Sequence, residues 1–152
     1  MTPERVQACL ERSPGVRDAM LVAPGPRRSS GNGMEKWFLK WALRGSYAAI
    51  QTRFGGGFYD PISNFAVEAP LQVVALHFFR DLPRAQSAGR VARLAAGSPR
   101  KKAFNGVRVF GPVLVLHWSF SIGGRPGHVG IEQDLEPIES CLRRAGYLHV
   151  RP

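Results

Sequence analysis

From Leu82 to Ile131 the chain runs fifty residues without a carboxylate, although the stretch carries Arg84, Arg90, Arg93, Arg100, Lys101, Lys102, Arg108 and Arg125. A segment that folds with that one-sided charge draws its anions from elsewhere, and nucleic acids are the most abundant large polyanions in a cell. Other absences narrow the field. No run of about eighteen apolar residues offers a membrane span, and the opening Met-Thr-Pro-Glu-Arg has no apolar stretch of a secretory leader. Only two cysteines occur, Cys9 and Cys141, with no CxxC spacing and no histidine at a metal-ligand interval. That pattern predicts two small buried apolar residues in a reducing compartment, no metal site and no cofactor. The combined expectation is an intracellular protein, cytoplasmic or nuclear, and not secreted. No G-x-S-x-G elbow and no P-loop occur, and Gly55-Gly56-Gly57 lacks the lysine and the strand-loop-helix setting of a phosphate cradle.

What is present fits one folded domain spanning residues 1–152. A chain of that length buries roughly 70% of its unfolded surface without staples, and a 44% hydrophobic content with nine Phe, three Trp and three Tyr supplies a core. The net charge is +10 and the pI near 10.8, in the range of nucleic-acid-binding domains.

The elements follow from periodicity and punctuation. Thr2 as N-cap, Pro3 and Glu4 begin a helix whose apolar stripe is Val6, Cys9 and Leu10, and Ser13-Pro14-Gly15 stops it. A strand is predicted over 16–22, then a mobile basic loop over 23–33. Asp81 caps a central helix over 82–96 with Val91, Leu94 and Ala95 inward and Gln86, Arg90 and Arg93 outward. Residues 107–122 read as a strand interrupted at Gly111-Pro112 by a bulge or an edge position. From Val113 onward the set Leu114, Leu116, Trp118 and Phe120 is expected to face the core. A last helix begins at Asp134 and buries Leu135, Ile138, Cys141, Leu142 and Ala145. A long loop is expected over 55–70. The fold class is therefore α+β: a single domain with a mainly antiparallel sheet and about three helices, N-terminal, central and C-terminal, packed chiefly on one face. One core is expected to join Trp37, Trp41, Leu114, Leu116, Trp118 and Phe120 to Leu10, Leu94, Ile138 and Leu142.

The candidate site comes from a hairpin reading about Gly45-Ser46, a two-residue loop with Gly first. Pairing about that turn sets Arg44 opposite Tyr47, Lys40 opposite Gln51 and Phe38 opposite Arg53, so one face carries Lys36, Phe38, Lys40, Arg44, Tyr47 and Arg53. A helix from Glu35 to Arg44 ending at Gly45 is the competing reading. Cations interleaved with rings supply phosphate contacts and stacking platforms together. Arg90 and Arg93 on the central helix, with Arg100, Lys101 and Lys102 after it, extend the basic surface.

The four histidines are His77, His117, His128 and His149. His117-Trp118-Ser119 and His128-Val129-Gly130 resemble the hydrophobic-flanked His-x-Thr/Ser motifs of the 2H phosphoesterases. That resemblance implies an enzyme acting on RNA phosphate ends with paired histidines as general acid and base. It breaks at His128, where Gly130 takes the hydroxyl slot, and His77 is followed by Phe78-Phe79. The expectation is a non-catalytic nucleic-acid-binding protein, RNA favoured, single-stranded or duplex and largely sequence-independent. A subunit of a larger protein or ribonucleoprotein assembly and a degenerate 2H enzyme are the alternatives.

Overall fold

The computed structural model describes residues 2–23, 43–55, 58–60, 65–67, 71–96, 106–120 and 135–150. Helix α1 (Pro3–Glu11) leads into β1 (Val16–Val22), followed by β2 (Ala48–Gly55), the short strands β3 (Phe58–Asp60) and β4 (Phe65–Val67), and β5 (Leu71–Phe78). Helix α2 (Leu82–Ala96), β6 (Gly106–Phe110), β7 (Val113–Phe120), α3 (Glu136–Arg144) and β8 (His149–Val150) complete the order. Six strands form one antiparallel sheet in the order β1-β2-β5-β7-β6-β8. The protein is an α+β domain, and two of its three described helices, α1 and α3, share one face of the sheet. Within the stretch expected to be a long loop, β3 and β4 pair with each other as a separate two-stranded ribbon.

Strand alternation divides the core in two. Ile50, Val74, Leu76, Phe78, Val113 and Val115 point to one face, where α1 and α3 cover them with Val6, Leu10, Ile138 and Leu142. Val109, Leu114 and Leu116 point to the other, against Ala85, Ala88 and Ala92 of α2. The single expected core is thus two layers separated by the sheet. This is why both alternating sets on β7 are buried: each face of the strand has its own helix. The ridge of α2 is built from small residues, and at Gly89 an added Cβ would come within 3.0 Å of a Val109 methyl, so the helix lies close on β6. Leu94, expected in the core, is 77% exposed, because the inward stripe of α2 is Ala85, Ala88 and Ala92 rather than the bulkier set. Trp37 and Trp41 lie outside the described residues, as do the side chains of Trp118 and Phe120.

Three further expectations are corrected. Gly111-Pro112 is a hairpin turn joining β6 to β7, with Phe110 paired to Val113. Gly111 supplies φ +54 at the first loop position, and the proline ring fixes the second at negative φ, the combination of a type II′ turn. The proposed hairpin about Gly45-Ser46 does not form, since β2 has β1 on one edge and β5 on the other and a strand has only two edges. Leu43 to Ser46 is instead a tight turn closed by the Ser46 N–H on the Leu43 carbonyl at 3.2 Å, with Gly45 at φ +97. Finally, Cys9 and Cys141 form a disulfide that ties α1 to α3, with Cα atoms 5.7 Å apart and a sequence separation of 132. Sequence spacing hid this pair because the two helices meet only in the tertiary fold.

Candidate nucleic-acid interface

The strand ends decide which cations meet. β2 begins and β5 ends at the same edge of the sheet: Ala48 pairs with Phe78, and the Tyr47 N–H donates to the Phe78 carbonyl at 2.9 Å. The turn bearing Arg44 and Tyr47 is therefore held beside Phe79, Arg80 and the start of α2. Arg44, Arg84 and Ser87 line an open groove of about 260 Å³ there, floored by Phe79, Ala88 and Val91. Arg44 and Arg80 are exposed, and Tyr47 is 50% exposed. Tyr147 lies nearby, its ring edge-on to Phe78 at 6.4 Å between centroids. Burial, and secondarily the neighbouring Tyr47, raise the pKa of Tyr147. Sequence reasoning missed Arg84, Arg80 and Tyr147 as neighbours of Arg44 and Tyr47. Of these, only Arg84 had stood out, as one of the cations of the carboxylate-free stretch.

The remaining cations sort by partner. Asp81 accepts the Arg84 backbone N–H at 2.9 Å, capping α2 as expected, and also pairs with the Arg84 guanidinium. Arg108 pairs with Glu139 of α3 across 31 residues, so its charge is met from outside the carboxylate-free stretch. Arg143 pairs with Glu136 at 2.8 Å. Arg53 stands at the far end of β2, about 20 Å from Tyr47 by strand rise, and is engaged by Asp18 on β1, with Arg53 Nε 2.9 Å from the carboxylate. That hydrogen bond, aided by the Arg53 charge, holds the Asp18 carboxyl below its ordinary value despite burial. Arg53 thus stands a strand's length from Tyr47 with its charge met by Asp18. Arg90 is exposed on α2 with no carboxylate in ion-pair reach among the described residues, and Arg93 reaches the Val107 carbonyl at 3.3 Å. Lys36, Phe38, Lys40, Arg100, Lys101 and Lys102 lie outside the described residues.

His77 and His117 are the histidines whose side chains lie among the described residues. His77 pairs with Leu114 and His117 with Val74, and those partners belong to the α2 layer and the α1/α3 layer respectively. The two imidazoles therefore point to opposite faces. Both are buried, and burial lowers each pKa to about 4, with the Arg108 charge contributing at His117. Two neutral rings with the sheet between them do not meet on one phosphate. His128 lies outside the described residues. Among the described residues no cluster of His, Cys, Asp and Glu is arranged to hold a metal ion, and no helix is long and apolar enough to cross a membrane. No family model, curated protein or solved structure matches this chain.

Proposed function

We propose that the protein binds nucleic acid, RNA in the first place, without catalysis, through the sheet end and the solvent face of α2. The observation that carries this reading is the groove shared by Arg44 and Arg84, two cations from separate segments, with an exposed tyrosine on the same turn as Arg44. Arg90 extends the cationic surface along the helix with no acid beside it among the described residues, and Arg93 stands one turn further on. Guanidinium groups supply bidentate phosphate contacts, and Tyr47 supplies a face on which an unpaired base stacks. Arg100, Lys101 and Lys102 follow α2 directly in sequence and are proposed to continue the phosphate track.

Fluorescence anisotropy with a labelled single strand and a labelled duplex over a salt series tests the proposal. Engaging about five phosphates gives a log–log salt slope of roughly −3.5 on the single strand and −4.5 on the duplex. Absence of binding at low ionic strength, or binding indifferent to salt, rejects it.

One observation favours a second reading. Leu94, one turn beyond Arg90, is an exposed large apolar side chain amid cations, as a contact with a protein partner in a larger assembly would need. As to compartment, the disulfide removes the part of the intracellular expectation that rests on free cysteines.

A further inference from the structure

The Cys9–Cys141 disulfide does not lie sealed inside the fold. It lines an open groove of about 390 Å³ between α1 and α3, whose rim carries Arg12 and Arg144 and whose walls include Ser13 and Ser140. Both arginines are exposed, and neither has an ion-pair partner among the described residues. Glu136 also lines the groove, but Arg143 engages it at 2.8 Å. The C-terminal ends of α1 and α3 add about half a negative charge each, so two full positive charges leave the groove net cationic. We infer that this groove admits small anionic thiols, of the carboxylate-bearing peptide class, and that the disulfide is a site of reversible S-thiolation at Cys9.

The choice of sulfur follows from the surroundings. Cys9 is half-buried whereas Cys141 is 2% exposed, so Cys9 is the sulfur a thiolate reaches. Ser13 Oγ stands 3.4 Å from Cys141 Sγ while donating to the Cys9 carbonyl at 2.9 Å. Its hydroxyl is in place to turn its proton onto a Cys141 thiolate. The incoming thiolate bonds to Cys9 Sγ, the Cys9–Cys141 bond breaks, and its electron pair leaves on Cys141. A second thiolate then attacks the mixed disulfide at the thiol's own sulfur, releasing the oxidised thiol dimer and a Cys9 thiolate. Two thiols are oxidised, the protein disulfide is reduced by two electrons, and solvent supplies the two protons. Val6 and Leu10 keep α1 seated on the sheet during the exchange, since both are fully buried.

The intact oxidised protein is treated with reduced glutathione, 2-mercaptoethanol or cysteamine at equal thiolate concentration, quenched by alkylation and mapped by mass spectrometry. Glutathione is expected to react about fivefold faster than 2-mercaptoethanol, the ratio one unit charge at ~4 Å provides in water, and cysteamine slowest. Salt should erase the ranking, and the trapped adduct should sit on Cys9 with Cys141 alkylated. The double variant Arg12→Gln/Arg144→Gln should lose the ranking with an unchanged melting temperature, while Ser13→Ala should slow all three thiols alike. Equal rates, an adduct on Cys141, two free thiols in the air-purified protein, or reduction that requires denaturant would each overturn the inference.

Discussion

The two faces of the sheet differ in how they hold particular arginines, although each face has both paired and unpaired ones among the described residues. On the α1/α3 side Arg108 and Arg143 are met by Glu139 and Glu136, and the two helices are covalently joined. On the α2 side Arg44 and Arg90 stand without a carboxylate among the described residues, and Arg84 shares Asp81 with the helix cap. The difference shows that a carboxylate-free stretch of sequence does not make every cation in it available. Arg108 belongs to that stretch, yet the fold turns it toward the acids at the start of α3, whereas Arg90 faces solvent on a helix with none in ion-pair reach among the described residues. Availability is decided by where the fold sets each cation relative to the acids.

The largest expected effect tests both faces together through their buried histidines. Each imidazole has a folded pKa of about 4 against an ordinary 6.5, so between those values the unfolded chain binds two protons that the folded chain does not. The histidines' contribution to stability is therefore full above pH 6.5 and falls as the pH drops through the window, by up to about 3 kcal/mol per unit. Urea midpoints measured from pH 7 to pH 4 check this, and His77→Gln or His117→Gln should each remove about half the slope. A flat profile would mean that neither ring is sealed by its helix.

Next in size, the disulfide should separate the faces. Closing a loop of 132 residues restricts the unfolded chain by about 5 kcal/mol in the chain-entropy model. Reduction, or Cys9→Ser with Cys141→Ser, should lower the melting temperature by roughly 10–20 °C. Smaller and symmetric, Leu116→Ala beneath α2 and Leu142→Ala on α3 should each cost about 2–5 kcal/mol in denaturant titrations. Leu94→Ala should cost less than about 0.5 kcal/mol, the outcome that distinguishes an exposed Leu94 from a core one.

Much of the architecture was legible because local signals and tertiary packing agree. The strand over 16–22 and the helix over 82–96 match residue for residue, and the inward face of α3 is the one its spacing predicts. The failures share a cause, which is that they depend on partners distant in sequence. The Gly45 turn reads well as a hairpin until β1 and β5 claim both edges of β2. Leu94 looks inward until the alanine ridge of α2 is seen to set the close contact. The disulfide requires knowing that α1 and α3 are neighbours. For the candidate site, the pairing about Gly45-Ser46 singles out Arg44 and Tyr47, but their companions Arg84 and Tyr147 come from segments that only the sheet order brings near, and the Asp18 partner of Arg53 comes from β1.

The most direct test compares two charge reversals of equal size on opposite faces. Arg44→Glu with Arg90→Glu alters the proposed surface, and Arg5→Glu with Arg12→Glu alters α1, so both proteins lose the same net charge. If the sheet end and α2 hold the phosphates, the first variant should weaken binding to every RNA sequence and make the log–log salt slope shallower by about 2, while the second should leave the slope at its wild-type value. Equal losses from both variants would show that net charge alone drives association and would contradict the account.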